Sequence, residues 1–443
     1  MSDTLVQIGM DDIDSPTGRC TTHFASLLVE HLSRLKVKWT DYPNLVRLNP
    51  GIPYRTRGNG AVALRFLTDD TSPIFPMVEK LVDEYIDDEY PNTNPGVVIF
   101  NGGIPRTVKD LSQMALWRVL PIDIAKRLIK EYDIVHYSSG NGRGLIGALS
   151  AAGNTLQEDH TYEYIAYRAL DECGNKRGVN IDSVHVMMEN VGDCVFANID
   201  ETTKRVLIEP HGPDPVLFGV RGETTDCVIN AGKQVRSKQI VDRWMVFRSN
   251  QGTGEHLKYR VRIKDLRPYM TAVFRGRVSS KPRWIEGGHV IFSIIDEGRH
   301  VDCAVYEPSG EFRETVMKLL PDDVIDLHAG VRPASRRHGL TLNVEGLEVV
   351  ELVPAFEVAN PICSQCGKRM KSAGTDKGFK CVNCGHKDSE IKKVETPIPR
   401  DLHEGFYLPP ARAQRHLTRP HSRMNKRNST PPKHLVAKWH SHS

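Results

Sequence analysis

Three carboxylates close to the start of this 443-residue sequence have the types and spacing for metal chemistry. Asp11, Asp12 and Asp14 follow the apolar run Leu5–Met10, which predicts a short buried strand. Because residues two apart in extended backbone point to the same side, Asp12 and Asp14 are expected to face one way at the end of that strand. Paired carboxylates of this kind hold Mg²⁺.

Two threonines follow these carboxylates and precede a helical pattern. Thr21 and Thr22 stand just before apolar residues at helical spacing, namely Phe24, Leu27, Leu28, Leu32 and Leu35. The start of a helix favours a phosphate, through its free N–H groups and its dipole. Carboxylates for a metal, a helix start and a hydroxyl between them together indicate phosphoryl transfer.

A purely structural interpretation of the same stretch stays open on local pattern. A threonine before a helix often serves only as its N-cap. An Asp cluster before Ser15-Pro16-Thr17-Gly18 is often only a turn.

Two glycine-rich loops are candidates for a phosphate cradle. Arg57-Gly58-Asn59-Gly60 lies between two predicted strands, and Gly142-Arg143-Gly144 leads into a helix of small residues. Glycines permit close approach of the backbone to a ligand, and arginines bind phosphate. The second loop is neither a Walker A nor a clean dinucleotide motif. A plain turn at the first loop and tight helix packing at the second remain the alternatives.

Four of the nine cysteines form two Cys-x-x-Cys pairs. Cys363 and Cys366 are separated from Cys381 and Cys384 by fourteen residues. This spacing predicts a structural zinc ribbon that closes tetrahedrally on Zn²⁺. Basic residues between the pairs favour nucleic-acid binding by the ribbon.

Strands and helices alternate through the first half of the chain. Up to about residue 130 the pattern predicts an α/β layer domain. From 162 to 250 it predicts an α+β sandwich of ferredoxin-like type, with a helix over Tyr162–Leu170, a strand over Val184–Met188, a hairpin over Cys194–Glu209, a strand over Pro215–Glu223 and a helix over Asp226–Val235.

Three strands, a short helix and two further strands follow from Thr271 to Val353, which is the order of an OB-fold barrel. Cations stand beside aromatic residues there, as Arg275, Arg277, Lys281 and Arg283 with Trp284 and Tyr306. That combination suits unpaired bases and backbone phosphates, although a solvated basic face is the alternative.

Composition predicts a globular chain of three domains, or four if some are small. The sequence has no apolar stretch long enough for a membrane helix and no secretory signal, and its scattered single cysteines indicate a reducing compartment, so we expect a cytoplasmic protein.

Net charge is +4, and nine Lys and Arg against two acidic residues lie in 400–443. This basic tail indicates a polyanion partner or a disordered, solubilising segment.

Taken in order, several short motifs resemble the archaeal tRNA-isoleucine 2-agmatinylcytidine synthetases. They are Gly9–Ser15, Gly18–Thr22, Arg47–Pro50, Arg55–Gly60, Gly142–Ala148, Phe218–Glu223, Ile285–His289, Gly405–Tyr407 and Ala413–Leu417. The resemblance covers nearly the whole chain. Two positions depart from the family pattern, since Ile13 replaces a threonine and Arg19 replaces a methionine.

The resemblance implies a multidomain α/β and α+β architecture. We expect a kinase-like ATP-binding catalytic domain over 1–133, a ferredoxin-like domain over 134–262, an OB-fold over 263–355, a zinc ribbon over 356–398 and a basic C-terminal tail over 399–443. The implied reaction attaches agmatine to C2 of the wobble cytidine of the isoleucine tRNA with a CAU anticodon. It uses ATP, releases AMP and phosphate, and converts AUG reading to AUA reading.

The resemblance also implies residue roles. Asp11, Asp12 and Asp14 would hold Mg²⁺, and Thr21 would become autophosphorylated. The guanidinium of agmatine needs a carboxylate, for which Asp193 and Glu223 are candidates. No membrane and no obligate protein partner are expected.

Two other hypotheses remain at this stage. The OB-fold, ribbon and basic tail would suffice for a nucleic-acid-binding module without catalysis. An ATP-dependent RNA modifier could also use a different amine or nucleotide. The three carboxylates with Thr21 argue against a pure binder, which has no need of them.

Overall fold

The computed structural model of the chain describes residues 3–55, 58–87, 90, 92–200 and 202–442. Its N-terminal part contains strands β1 (Thr4–Asp11), β2 (Lys38–Trp39), β3 (Asn44–Arg47), β4 (Gly60–Thr68), β5 (Gly96–Asn101) and β6 (Val135–Ser138). The helices of this part are α1 (Thr21–Arg34), α2 (Ile74–Tyr85), α3 (Arg106–Ala115), α4 (Ile122–Glu131) and α5 (Gly144–Gly153). The alternation of strands and helices confirms the α/β prediction for this region.

Strand β1 lies at the centre of this part, and its residues Val6 to Met10 are buried. It pairs antiparallel with β4 on one side and with β5 on the other. Val6, Ile8 and Met10 are fully buried in a core shared with α1 and α2. A separate core packs α3, α4 and α5 against the opposite face of the sheet. The end of β1 is therefore covered by helices on both sides.

The next part contains two helices and a run of mostly short strands. The strands are β7 (Thr161–Tyr167), β8 (Val195–Phe196), β9 (Ile199–Asp200), β10 (Arg205–Val206), β11 (Val216–Gly222) and β12 (Arg243–Ser249), and the helices are α6 (Ile181–Val191) and α7 (Thr225–Gln234). Strands β9 and β10 form a small hairpin within the predicted hairpin region. Apart from this hairpin, the order is strand, helix, two strands, helix and strand.

Two sequence assignments in this part were wrong. The predicted helix over Tyr162–Leu170 is strand β7, which is buried along its whole length and so lacks the polar alternation of a half-exposed strand. The predicted strand over Val184–Met188 lies inside α6. Only Val184 and Met187 of that helix are buried, which is helical spacing, and Asn180 caps it by accepting a hydrogen bond from the Ser183 N–H.

One continuous sheet joins these two parts of the chain. Its strand order is β6-β5-β1-β4-β3-β12-β7-β11-β8, with β2 paired to β4. Strand β12 joins the halves by pairing in parallel with β3 and antiparallel with β7. The first two predicted domains therefore share a backbone hydrogen-bond network.

The following segment is a closed five-stranded barrel, as the OB-fold prediction requires. It contains β13 (Thr271–Ile285), β14 (His289–Asp296), β15 (Arg299–Val305), α8 (Phe312–Met317), β16 (Val324–Arg332) and β17 (Thr341–Glu351). Closure comes from the parallel pairing of β15 with β17. The strand and helix order is the predicted one.

The zinc-ribbon region projects from the barrel through a two-stranded arm. The arm pairs β18 (Ala355–Ala359) with β22 (Val394–Ile398), and between them lie β19 (Lys371–Ser372), β20 (Phe379–Lys380) and β21 (Lys387–Asp388). The ribbon has a small core of its own, formed by Met370 and Phe379 with Cys363 and Cys381.

The C-terminal segment, residues 399–442, is packed against the protein and is not a disordered tail. Strand β23 (Gly405–Tyr407) adds to the barrel by pairing with β17. Farther along, the Gly252 N–H donates to the His416 carbonyl, and the Val246 N–H donates to the Trp439 carbonyl. Trp439 is buried in the core of the large sheet. The disordered-tail alternative was therefore wrong.

Two further predictions can be compared with the structure. In the described part of the chain, no helix reaches the length and hydropathy of a membrane span. The expectation of reduced single cysteines does not hold for Cys194 and Cys227, which form a disulfide with their Cα atoms 6.3 Å apart. The other single cysteines, Cys20, Cys173 and Cys303, are in the thiol form.

Candidate active site

The three carboxylates line one small cavity at the end of β1, and a turn rather than strand alternation places them there. The strand ends at Asp11, and Asp12 takes a left-handed conformation with φ of 57°. Asp12 then points toward Arg143, whose Nη2 lies 3.5 Å from its Oδ2. Asp14 turns toward Thr21 instead. The expectation that Asp12 and Asp14 align by extended-strand geometry was therefore wrong, although both line one small cavity.

Burial of these carboxylates produces a site that favours a cation. The pKa of Asp11 is raised well above its usual value, first by burial and then by the charge of Asp12. Burial also raises the pKa of Asp12 to about 7, although Arg143 opposes this shift. A divalent cation would relieve both the burial cost and the mutual repulsion, so the donor set fits Mg²⁺.

Thr21 is the first residue of α1, and its hydroxyl is held by Asp14. Its Oγ1 donates to Oδ2 of Asp14 at 3.0 Å, and its backbone N–H donates to Oδ1 of Asp14 at 3.2 Å. Thr21 Oγ1 also accepts from the Ile13 N–H at 3.3 Å. Cys20 is the N-cap residue, so Asp14 supplies the capping acceptor from outside the helix. A carboxylate bonded to a buried hydroxyl can accept its proton.

The two departures from the family pattern do not remove these contacts. The Ile13 side chain is fully buried in the core, and only its backbone N–H meets Thr21. The guanidinium of Arg19 lies over the Tyr85 ring, 5.2 Å from its centre.

Two adjoining cavities meet at this site. The small cavity, of about 80 Å³, is lined by residues that include Asp11, Asp12, Asp14, Tyr54, Arg118, Arg143, Gly144 and Gly147. The large cavity, of about 750 Å³, is lined by residues that include Asp14, Thr21, Thr22, Arg47, Glu163, Arg221, Arg415 and His416. Asp14, Arg55, Asn59 and Gly60 line both. The predicted metal site thus lines the small cavity and Thr21 lines the large cavity that adjoins it.

The loop at Gly58–Gly60 lies against an arginine. A Cβ placed on Gly58 would lie 2.7 Å from Nη1 of Arg47, and one on Gly60 would lie 2.9 Å from the same atom. Asn59 between them has a φ of 49° and donates through Nδ2 to the Asn49 carbonyl at 2.8 Å. All three residues line the large cavity, as a phosphate cradle would require. Arg57, predicted with them, lies outside the described residues.

The second glycine loop combines close packing with one charged contact. A Cβ on Gly144 would lie 2.5 Å from the Asn94 carbonyl oxygen and 2.9 Å from that of Asp11, so α5 can begin there only with glycine. Arg143 and Gly144 line the small cavity, whereas Gly142 is not among its lining residues. This loop therefore orients Arg143 toward Asp12.

The two candidate carboxylates for agmatine lie elsewhere. Of the residues that the structure describes, neither Asp193 nor Glu223 lines the large cavity. The Glu223 carboxylate accepts hydrogen bonds from Arg423 Nε at 2.7 Å and from Asn428 Nδ2 at 3.1 Å. The Asp193 carbonyl oxygen accepts from Lys426 at 3.1 Å.

The sequence did not single out Glu163, which does line the large cavity. This carboxylate is 3 % exposed and accepts from Arg221 Nε at 3.2 Å and from the amide of Gln251. Glu163 was missed because the sequence predicted a helix where strand β7 lies, and nothing in a helix there indicated that Glu163 faces a site. Arg221 and His416 were quoted within motifs but were given no role.

The four paired cysteines form a site that could close on a metal ion. One ligand atom from each of Cys363, Cys366, Cys381 and Cys384 lies within 4.8 Å of the others. The Gly367 N–H donates to the Cys363 carbonyl at 2.9 Å, in a tight turn that the other pair repeats. Four thiolates so arranged fit Zn²⁺, as the spacing predicted.

Some cations predicted for nucleic-acid binding on the barrel are engaged internally. Arg275 donates to the buried carboxylate of Asp326 at 2.7 Å and 2.9 Å. Trp284 is 47 % exposed and has the Arg313 guanidinium 5.4 Å from its ring centre. The barrel surface thus still presents an exposed aromatic ring with a cation beside it.

Comparisons with known proteins agree with these features. Family models described as the TiaS TCKD domain, the TiaS FLD domain and the TiaS C-terminal zinc ribbon domain match residues 7–141, 142–256 and 360–402. The chain is 40 % identical to the isoleucine-tRNA 2-agmatinylcytidine synthetase TiaS of Staphylothermus marinus over 98 % of this chain and 97 % of that protein. The chain belongs to the TiaS family. The TiaS of Methanosarcina acetivorans is 41 % identical over 95 % of this chain and 98 % of its own length.

Solved structures of TiaS proteins are similar over almost the whole chain. A complex of TiaS with its isoleucine tRNA and ATP superposes with a TM-score of 0.86 at 37 % identity, covering 95 % of this chain and 98 % of that one. A complex of TiaS with the same tRNA, AMPCPP and agmatine has a TM-score of 0.83 at 34 % identity, with the same coverage. The TiaS fold therefore extends through the barrel and the ribbon.

Proposed function

We propose that this protein attaches agmatine to C2 of the wobble cytidine of the isoleucine tRNA with a CAU anticodon, using ATP and releasing AMP and phosphate. The modified anticodon would then read AUA in place of AUG. Relatives named as 2-agmatinylcytidine synthetases, and TiaS structures with isoleucine tRNA, ATP and agmatine, support this assignment. An RNA modifier that uses another amine is the second candidate, but the named relatives favour agmatine.

The contact between Asp14 and Thr21 carries the proposal. A hydroxyl that donates to a buried carboxylate lines a cavity of about 750 Å³, and a second cavity with two more carboxylates adjoins it. Phosphoryl transfer requires positioning and charge neutralisation more than covalent help, and this arrangement offers both. A binding module would have no use for it.

The chemistry of cytosine explains why phosphorylation is needed. The oxygen on C2 is a poor leaving group, and its phosphorylation converts it to a good one. The primary amine of agmatine then attacks C2, and the C2–O bond breaks with release of phosphate. In this account one phosphoryl group of ATP goes to the C2 oxygen and the other to Thr21 Oγ1, whose proton Asp14 accepts. Water then releases the group on Thr21 as phosphate, so that one ATP yields AMP and two phosphates.

Asp11, Asp12 and Asp14 would hold Mg²⁺, which would neutralise charge on the triphosphate. Arg143 is partly exposed and pairs with Asp12, so it would contact phosphate oxygens when ATP is present. The loops Gly58–Gly60 and Gly142–Gly144 remain our candidates for the phosphate cradle.

For agmatine, we favour Glu163 over Asp193 and Glu223. Among the described residues, Glu163 lines the large cavity, whereas Asp193 and Glu223 do not. A guanidinium needs a carboxylate in fixed geometry, and Glu163 is fixed by Arg221 and Gln251.

The domain assignments support the same account. We assign a kinase-like domain to 1–133, a ferredoxin-like domain to 134–262, an OB-fold to 263–355 and a ribbon to 356–398. The order β7-α6-β8-β11-α7-β12 supports the second assignment.

The test is nucleoside mass spectrometry of transcripts of this isoleucine tRNA after incubation with ATP, Mg²⁺ and agmatine. We expect an agmatine-dependent mass increase confined to the wobble cytidine. Asp14→Asn should abolish it, while Asp133→Asn, a matched change at an exposed turn, should not. Absence of the product with the unaltered protein, or full activity of Asp14→Asn, would refute the proposal.

A further inference from the structure

One arginine of the large cavity has no hydrogen-bond partner for a buried nitrogen. Arg47 ends strand β3, and its backbone is fixed by Asn250, which accepts from the Arg47 N–H at 2.7 Å and donates to its carbonyl at 3.0 Å. Its Nε is buried and, within the part of the chain that the structure describes, makes no hydrogen bond. The side chain lines the cavity beside Thr21.

In the described part of the chain, the large cavity is lined by six arginines and four carboxylates. Arg55, Arg221 and Arg415 are three of these arginines, and Arg415 also pairs with Glu345 at 3.4 Å. Glu163 is the carboxylate that most favours the charged form of Arg47, but its oxygens already accept from Arg221 and Gln251. Positive charge is therefore in excess at this end of the cavity.

His416 completes this cluster as a neutral donor. Its Nδ1 lies 3.0 Å from Nη2 of Arg221, which can only donate, so Nε2 carries the ring proton. His416 is exposed as a residue, but desolvation of its ring in the cavity, followed by the charges of Arg47 and Arg221, lowers its pKa well below its usual value. A Cβ on Gly58 would lie 3.2 Å from His416 Nε2, so this ring packs on the same glycine turn as Arg47.

A guanidinium whose buried Nε has no hydrogen-bond partner is costly for the folded protein. A buried arginine is normally matched by a carboxylate, as Arg248 is by Asp41 in the same protein. The turn at Gly58–Gly60 packs against the Arg47 guanidinium and restricts its position. The site therefore contains a positioned donor without an acceptor for its Nε–H. The acceptor that matches several guanidinium groups and one N–H is a phosphate.

We infer that Arg47, with Arg55, Arg221, Arg415 and the Nε2–H of His416, forms a phosphate-binding subsite in the large cavity. Its ligand is a phosphate or phosphate ester, carried either by the nucleotide or by the RNA backbone. Two of its five members come from the C-terminal segment, which makes that segment part of the site. The inference rests on the proposed function only for naming the nucleotide and the RNA as ligands. Phosphate binding can be measured without any catalytic turnover.

The first test measures binding of pyrophosphate to the full-length protein by calorimetric titration. Arg47→Met keeps the length of the side chain and removes its charge, so we expect at least about a tenfold loss of affinity. The melting temperature of the ligand-free variant should be equal to or higher than that of the unaltered protein, because a buried nitrogen without a hydrogen-bond partner is gone. Arg106→Met, an exposed arginine of α3, is the matched control and should bind normally.

A second variant covers the case in which Arg47→Met fails to fold. Arg55 is exposed as a residue, so Arg55→Met should leave the fold intact and weaken pyrophosphate binding several-fold. The inference would be overturned if Arg55→Met bound pyrophosphate with unchanged affinity and Arg47→Met either did the same or failed to fold.

Two further titrations of Arg47→Met identify the source of the phosphate. Weaker binding of ATP with normal binding of the unmodified isoleucine tRNA assigns the subsite to the nucleotide, and the reverse assigns it to the RNA backbone. Normal binding of both would overturn the inference. Because none of these titrations requires agmatine transfer, a failed modification assay would leave their outcome intact.

Discussion

At the scale of single residues, the site depends on how closely α5 approaches the first carboxylate. A Cβ on Gly147 would lie 1.7 Å from Oδ2 of Asp11, so no larger residue fits without moving that carboxylate or the helix. The same side chain is buried beside Asp12, and the pKa values of both carboxyls are raised. Glycine at this position therefore sets the position of the Asp11 carboxylate.

We predict that Gly147→Ala lowers kcat/KM for agmatine transfer by about 100-fold, because a displacement of about 1 Å at a positioned group costs that much. Gly103→Ala is the matched control, since a Cβ there meets no atom within 4 Å. Steady-state kinetics of the two variants measures the difference. Equal activity of Gly147→Ala and the unaltered protein would show that Asp11 need not be fixed.

A second prediction at this scale concerns pH. Glu255 is 6 % exposed and accepts from Asn250 Nδ2 at 2.9 Å. Burial raises its pKa from 4.5 to about 7. The folded state therefore holds the proton of Glu255 more tightly than the unfolded state does. The stability gained from this protonation is fully present below pH 4.5 and is lost as pH rises through about 7.

Glu255→Gln should thus raise the free energy of unfolding at pH 8 by about 2 kcal/mol, with a much smaller effect at pH 5. Urea unfolding at the two pH values measures it, with the exposed Glu357→Gln as the control. A destabilised variant at pH 8 would mean that the ionised carboxylate makes a stabilising contact.

At the scale of elements, the C-terminal segment connects distant parts of the chain. Arg423 is fully buried and donates to Glu223 at 2.7 Å, to Asp159 at 3.2 Å and to the Gly252 carbonyl at 2.6 Å. These contacts hold the segment that carries Arg415 and His416 over the large cavity. The positive charge of this segment therefore serves internal pairing as well as the site.

Replacing Arg423 by Gln would leave Glu223 without its cation and Asp159 with Arg419 alone, which we expect to cost about 3 kcal/mol. We expect a lower melting temperature and reduced agmatine transfer. Lys433→Gln, an exposed cation of the same segment, should change neither. If Arg423→Gln were as stable as the unaltered protein, the segment would be only loosely attached.

The sequence predicted most elements from periodicity and failed where burial or long-range contacts decide. Strand β7 is buried on both faces, so it shows no alternation and was mistaken for a helix. Helix α6 was missed, although Asn180 before it is a recognisable N-cap. Thr21 and the carboxylates could be found because they are adjacent in sequence. The roles of Glu163 and Arg47 could not, since they depend on partners more than fifty residues away.

At the scale of the whole molecule, the large cavity is assembled from three separate regions. Asp14 and Thr21 come from the first family-matched region, Glu163 and Arg221 from the second, and His416 from the C-terminal segment. The parallel pairing of β12 with β3 fixes the first two regions within one sheet. The site can therefore form only when both halves and the end of the chain are folded together.

The central claim is that the C2 oxygen of the wobble cytidine leaves as phosphate, and an isotope experiment tests it directly. An isoleucine tRNA with ¹⁸O at C2 of that cytidine is incubated with the protein, ATP, Mg²⁺ and agmatine, and the released products are analysed by mass spectrometry. Phosphorylation of the oxygen predicts that the ¹⁸O appears in inorganic phosphate. Its appearance in AMP would show that the oxygen is adenylated instead, and would contradict the account.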